Sequence, residues 1–378
     1  MNRRNFLQQT SLGLAAFTAT ELFADSKGLR RMPNYQPTGA RLLTGSTPAA
    51  DGFRYPAEWE KHEATIMVLP PPQNWKGYGV SLRDVRGQWA DIANALAEYE
   101  PVLMIVRPED KNVAKSILSR EIKLLELPVN DGWSRDSGPM IVVDAQGQRR
   151  IAGFTFNGWG AKFPPYKDDA LLKARLSRAW GMPMYPIDLV MEGGAVAVDG
   201  EGTVLTTEQC LLNKNRNSAS GRAEVEKVLN DSLGTKKVIW LGKGLTPDPV
   251  TDGHIDGLAA FAAPGVVLLH TTTDRRDPNY RICQDAKRRL QAATDAKGRK
   301  LKVIELPLDA DLSHTNFYIA NGCVLVPVTP RRRENERALA ILREAFPRRK
   351  VIGVDSEVLG EGGGGIHCIT QQVPAAGR

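Results

Sequence analysis

The sequence is poor in the features that announce a small secreted scaffold or a structural metal protein. Only four cysteines, Cys210, Cys283, Cys323 and Cys368, are spread over 378 residues, and no two form a Cys-x-x-Cys pair. That excludes a disulfide framework and argues against structural zinc. No apolar run reaches the ~20 residues of a membrane-spanning helix, so no stable membrane span is expected. No linker or low-complexity segment divides the chain beyond its first residues, which speaks for one large domain. Lys and Arg exceed Asp and Glu by 50 to 43, a formal net charge of +7, but they are scattered. The densest basic run, "RRRENER" (331–337), is interrupted by acids. Without a basic stripe interleaved with aromatics, a nucleic-acid partner is not expected.

What is present begins with "MNRRNFLQQTSLGLAAFTATELFA". The Arg3–Arg4 pair, then Phe6 and Leu7, then a short apolar run predict a twin-arginine export signal over residues 1–24, cleaved after Ala24. Such a signal implies a periplasmic or secreted protein. Residues 25–50 read as an N-terminal arm and 51–378 as a single catalytic domain. Nothing in the pattern bars a homo-oligomer.

One arrangement recurs along the domain. A polar cluster opens a short apolar strand; a Gly turn, a second strand, a helix and a third strand follow. "EGGAVAVDGEGTVLTTEQC" reads strand, Asp-Gly turn, strand; "GRAEVEKVLNDSLG" has helical period and a terminal Gly; "KKVIWLG" is a strand. The same ββαβ order starts at "RDSGPMIVV", "GHIDGLAAF" and "SHTNFYIAN". The polar openings fall at Asp136, Glu192, His254, His314 and Cys368, at intervals of 56, 62, 60 and 54 residues. The last, "EGGGGIHCITQQ", supplies one strand ("IHCITQQ") without the rest of a unit. The complement lies at the other end, in "HEATIMVLP", the helical "SLRDVRGQWADIANALAEY" and "PVLMIVR". Pairing of the last strand with the first segment would close a ring of five α/β units, as radial repetition does in propellers.

Such a ring would bring Asp136, Glu192, His254, Asp256 and Cys368 to a common axis. The four glycines at 362–365 would let backbone approach a ligand and turn sharply beside the cysteine. A thiolate is a strong nucleophile and an imidazole can move protons beside it. Carboxylates around a thiol raise its pKa, which makes sense if the substrate is a cation that neutralises them. A guanidinium is such a cation, planar, with forked N–H pairs that match carboxylates. Asp136 and Asp256 would grip it, Glu192 would hold a further N–H, and Trp133 and Trp159 would add aromatic faces. Cys368 would attack the central carbon and His254 would protonate the departing ammonia; water would then release a urea-type product. No metal or organic cofactor is required. Duller readings stand beside this one. His254 and Asp256 could be a metal pair, though a third ligand at ordinary spacing is missing. The carboxylates and tryptophans would also suit an envelope protein that only binds guanidinium or polyamine cations. Arg135 reads as structural. His367 would alternate to the opposite strand face from Cys368 and pack or hydrogen-bond there.

The motifs "NDGWSRDSGP", "MEGGAVAVDGEGTVLTTEQCLLNKNRN", "TDGHIDG", "TNFYIANG" and "GGGGIHCITQQVP" closely resemble the agmatine deiminase family. The likeness runs from about Tyr55 to Pro374. It implies the pentein, or five-bladed α/β-propeller, fold, and it assigns catalysis to Cys368, His254, Asp136, Glu192 and Asp256. It also implies the substrate, agmatine, converted to N-carbamoylputrescine and ammonia. Two positions depart from the family pattern: Gly365 stands where Asn is common, and Ala197 where His is frequent. Secreted bacterial peptidylarginine deiminases resemble the same family and hold a peptide carboxylate with arginines beyond the "RD" motif. Here that segment, "FTFNGWGAKFPPYKDD", has no arginine, although Arg149 and Arg150 lie nearby in a predicted hairpin.

Overall fold

An apolar hairpin followed by an amphipathic helix buries both when the helix folds back over the strands, and the next strand then pairs parallel to the second. Four of the five units of this protein do so. The computed structural model describes residues 41–376 apart from 73, 74, 76–79, 309–311, 330 and 331. The expected signal and most of the arm therefore lie outside the described residues.

The first sheet holds β1 (His62–Val68), β2 (Val102–Val106) and β3 (Lys123–Glu126), all parallel. The helix Leu82–Ala97 links β1 to β2 and is capped by Ser81, whose hydroxyl accepts from Asp84 N. In the second sheet, β4 (Met140–Val143) and β5 (Arg149–Thr155) form a hairpin. The helix Lys167–Trp180 then leads to β6 (Met184–Val190), parallel to β5. The third sheet repeats this with β7 (Val196–Val198), β8 (Thr203–Thr207), the helix Arg222–Leu233 and β9 (Lys237–Leu241). The fourth has β10 (Ala259–Ala263), β11 (Val266–Thr271), the helix Tyr280–Ala292 and β12 (Lys302–Pro307). The fifth has β13 (Tyr318–Ile319), β14 (Cys323–Val328), the helix Arg332–Ala345 and β15 (Lys350–Asp355). Finally β16 (Gln371–Pro374) returns to the first sheet, antiparallel to β1, in the place of the missing hairpin partner.

The central strands are buried on both faces, which explains their continuous apolar runs such as "VLMIV" in β2. Alternate residues feed two different apolar clusters. Ile66, Leu103 and Ile105 pack with Ile141 and Ile151 of the second sheet. Met67, Val102 and Met104 pack with Tyr318, Cys323 and Leu325 of the fifth. The remaining clusters join the second sheet to the third, the third to the fourth and the fourth to the fifth. The order of packing thus runs round from the fifth sheet to the first. Gly181 and Gly234 end their helices at φ 62° and 64°, where a side chain would be strained.

Three details differ from the sequence reading. β3 adds a parallel strand to the first unit, where none was expected. The end of the arm joins the fold instead of standing apart from it: Leu43 N donates to Met184 O and Met184 N to Arg41 O, at 2.9 and 3.0 Å. And "IHCITQQ" is not one strand. His367–Ile369 form a single 3-10 turn, held by His367 N donating to Asn316 O at 3.0 Å, before β16 begins.

Candidate active site

Each sheet ends its polar lead-in at the same relative place, so the lead-ins meet. Asp136 sits on the one-turn helix Ser134–Ser137 ahead of β4, and Glu192 just ahead of the turn Gly193–Ala195. His254 and Asp256 lie in the segment before β10, and Cys368 in the turn before β16. The five predicted residues are all buried. A single position shows how tightly they converge. A Cβ on Gly194 would lie 2.6 Å from His254 Nδ1, 2.8 Å from Asp256 Oδ2 and 3.1 Å from Asp136 Oδ1. Only glycine allows the chain to pass here. Gly194 N also donates to Asp136 Oδ1 at 3.1 Å, and Cys368 Sγ lies 3.7 Å from Asp256 Oδ2. His254, Asp256 and Cys368 open into one cleft of about 320 Å³, walled by Gly360–Gly365 on one side and Pro247–Thr251 on the other.

The electrostatics follow from burial among carboxylates. The Cys368 thiol is pushed well above its ordinary value, first by burial and then by Asp256 and Asp136. Burial alone would neutralise His254, but the charge of Asp136 and the contacts with Cys210 and Glu192 outweigh it, and the imidazole is held well above its usual range. His254 Nε2 lies 3.4 Å from Glu192 Oε2, while Nδ1 is 3.9 Å from Asp136 Oδ1. Burial raises Asp136; it would raise Asp256 too, but His367, His254 and Arg135 together outweigh it and leave that carboxylate lowered. These surroundings therefore favour the protonated thiol and the charged imidazole. A cation entering between Asp136 and Asp256 would reverse the pressure on the thiol.

Several neighbours act through these groups. Arg216 Nε donates to Glu192 Oε1 at 2.7 Å, and its Nη1 reaches Asp252 Oδ2 at 3.0 Å. Glu192 is thus held by Arg216 and faces the imidazole of His254, which it orients. Trp159 Nε1 donates to Asp136 Oδ2 at 2.8 Å, so this tryptophan fixes a carboxylate rather than presenting a face to substrate. Trp133 stacks on Trp75 with centroids 5.8 Å apart and stands behind the glycine wall; a Cβ on Gly364 would lie 2.4 Å from its ring. Neither tryptophan lines the cleft, and of the five converging residues Asp136 and Glu192 also stand outside its lining. In the fifth unit the contributing residue is Asn316, two beyond His314, with Nδ2 donating to Cys368 Sγ at 3.2 Å. The quoted "TNFYIAN" contained Asn316 without suggesting this part. His314 instead lies beside His270, ring centroids 6.2 Å apart. Lys173 was also missed: it is buried, donates to Phe154 O at 2.7 Å, and burial pulls its pKa down to about 8 against the charges of Glu192 and Asp136.

Gly365, expected to bind substrate, lines the cleft and makes room for Asn316. A Cβ there would lie 2.5 Å from Asn316 Oδ1 and 2.8 Å from its Cβ. In this structure a side chain at 365 would displace Asn316. Gly365→Ala should lower kcat for guanidine hydrolysis by roughly ten- to a hundredfold, the loss of one hydrogen bond to a charged sulfur. It should also destabilise by about 1–3 kcal/mol through overpacking. Steady-state ammonia release and thermal unfolding would check both.

A metal is the remaining question. Among the described residues, Glu192, Cys210 and His254 place one ligand atom each within 4.8 Å of one another. The set does not suit a dication, because the Arg216 guanidinium already occupies the carboxylate such an ion would need. His254 and Asp256 are likewise committed, to Glu192 and to His367.

The profile of the Porphyromonas-type peptidyl-arginine deiminases matches residues 54–374. The chain belongs to this family. Among individual deiminases, that of Pseudomonas aeruginosa strain LESB58, an agmatine deiminase, is 40% identical over 364 residues, covering 87% of this chain and 98% of the relative. The agmatine deiminase of Ectopseudomonas mendocina is 38% identical, with the same coverages. The solved agmatine deiminase of Enterococcus faecalis superposes with a TM-score of 0.84 at 36% identity, covering 89% of this chain and all of that one. The fold is the mixed α/β pentein fold that the resemblance implied. No helix among the described residues is long and apolar enough to cross a membrane.

Proposed function

We propose that this deiminase hydrolyses agmatine to N-carbamoylputrescine and ammonia. The observation that carries the reading is the cleft itself. A thiol, an imidazole and Asp256 stand at its base, and its described lining includes Asp248 and Glu361 but no Lys or Arg. Such a cleft suits a substrate with a cation at each end. The two arginines that could have held a peptide carboxylate are engaged elsewhere. Arg149 Nη1 donates to Glu63 Oε2 at 2.6 Å and to Pro374 O at 2.9 Å, and Arg150 Nη2 donates to Gln148 Oε1 at 3.0 Å with its guanidinium over Phe53. Relatives at 38–40% identity are agmatine deiminases, whereas the matching family profile carries the peptidyl-arginine name.

Asp136 and Asp256 receive the guanidinium; each carboxylate oxygen has lone pairs beyond those already used. The entering charge lowers the thiol's proton affinity, and its proton leaves to solvent. Cys368 Sγ then bonds to the guanidinium carbon. The C–N bond to the terminal nitrogen breaks as His254 gives that nitrogen a proton, and ammonia departs. A covalent thiouronium remains on the sulfur. Neutral His254 next takes a proton from water, whose oxygen bonds to the carbon; the C–S bond breaks and the carbamoyl amine leaves. Glu192, fixed by Arg216, keeps the imidazole oriented through both halves. Export through a twin-arginine signal at residues 1–24 belongs to the same proposal and is supported by the Arg3–Arg4 pair and the apolar run after it.

The test is ammonia release from agmatine, free arginine and a peptide ending in arginine, at matched concentrations. Agmatine should have the highest kcat/KM, with the distal carboxylate of the competitors costing them at least about tenfold, one unpaired charge in an acidic cleft. Preference for the peptide would transfer the assignment to peptidylarginine. Tight binding of agmatine without turnover would make the protein a receptor for guanidinium cations.

A further inference from the structure

The residue before the nucleophile has no part in the steps above, yet it is the most elaborately held histidine in the molecule. His367 lies between two carboxylates: Nδ1 is 2.9 Å from Asp256 Oδ2 and Nε2 is 2.9 Å from Glu58 Oε2. A neutral imidazole carries one N–H and can donate to only one of them; two carboxylates at both nitrogens call for the imidazolium. Glu58 is fixed in turn. Its Oε1 accepts Ile319 N at 2.7 Å, and Arg135 Nη2 lies 3.1 Å from its Oε2. Arg135 completes the clamp through Nη1 to Gln372 Oε1 at 2.7 Å and Nε to the carbonyl of His367 at 3.3 Å. On the far side is a small cavity of about 50 Å³, bounded by Glu58, Arg135, Ala197 and His367 among others, away from the glycine wall. The oxygen that His367 holds, Asp256 Oδ2, is the one 3.7 Å from the thiol.

We propose that His367 is a positioning residue: clamped by Glu58 and Arg135, its imidazolium fixes Asp256 and offsets that carboxylate's charge beside Cys368. Two consequences follow. The grip of Asp256 on the guanidinium depends on His367, and so does the ease with which the thiol ionises. The groups facing His367 are Asp256 and Glu58, which favour its charge, and Arg135, which opposes it; the balance leaves it raised against its burial. Burial would raise Glu58, but His367 and Arg135 bring it down to about 2. Facing Cys368 are Asp256 and Asp136, with the Asn316 amide as donor.

The experiment compares wild type with His367→Gln, His367→Ala and Glu58→Gln in the full chain. The first readout is the pH dependence of Cys368 alkylation by iodoacetamide, followed by peptide mass spectrometry without any substrate. Removing the imidazolium leaves Asp256 uncompensated, so alkylation in both His367 variants should shift to higher pH. The second readout is kcat and KM for agmatine; this arm alone rests on the deiminase reading. His367→Ala should lose about 10–100-fold in kcat/KM, the usual cost of removing a partner that orients a catalytic group. His367→Gln keeps a donor toward Asp256 without the charge and should recover KM but not the alkylation profile. Glu58→Gln should move both readouts in the same direction, less far. Should His367→Ala fail to fold, the two conservative variants carry the test. An unchanged alkylation profile in folded variants, or activity lost only in proportion to folded protein, would overturn the proposal. Absence of agmatine turnover in wild type would strike the functional reading instead and leave the alkylation result decisive.

Discussion

Cys368→Ala is expected to abolish ammonia release from agmatine, a loss on the order of a million-fold, as when the nucleophile of a covalent mechanism is removed. No other described thiol can replace it. Cys283 and Cys323 are buried in the fourth and fifth units and are pushed up to about 11 and about 12 by burial. Cys210 lies behind His254 and does not line the cleft. Binding should survive, because the guanidinium is held by Asp136 and Asp256. Isothermal titration with agmatine should therefore show a complex that does not turn over. Residual turnover above background in this variant would remove Cys368 from the chemistry.

The second large effect belongs to His254. Its replacement by Gln should lower kcat by about 10²–10⁴, the range for loss of a positioned general acid and base. The two halves of the reaction ask opposite things of it, a proton given and then a proton taken. The variant should therefore fail at both, and single-turnover mixing should show slow formation and slow decay of the covalent species. The pH dependence carries a sign. The folded protein holds His254 well above its ordinary value, so the charged form persists to higher pH than in a free imidazole. Activity that needs the imidazolium is lost on the alkaline limb, as pH rises through that raised value. The stability linked to the shift behaves likewise: fully present below the unfolded pKa of an imidazole, and lost as pH climbs through the folded one. In His254→Gln both alkaline dependences should flatten.

The ring order and the five convergent residues were legible because strand ends and their polar lead-ins recur at nearly constant intervals. Roles were less legible than places. Glu192 carries the same charge as Asp136 and Asp256, and nothing in one dimension tells that Arg216, 24 residues away, claims its other oxygen. Trp159 looks like an aromatic wall until the backbone at φ 54° turns its indole N–H onto Asp136. His367 was read with the two-residue alternation of a strand. The glycines before it allow a tight turn instead, which sends its ring to Asp256 and Glu58 while Cys368 faces the cleft. In the fifth unit the eye goes to His314, but His270 occupies its surroundings and the shorter Asn316 reaches the sulfur. These assignments depend on which face of a turn meets which neighbour, a property of assembled sheets.

Pairing of β16 with β1 joins segments about three hundred positions apart, far longer than the separations inside each unit. Contacts of that span form late when a chain folds. The thiol rides on that final contact, whereas the imidazole and the carboxylates belong to units that can organise earlier. A partly assembled chain is therefore chemically silent: even with its acid and base in order, it cannot open an amidine bond until the last joint is made.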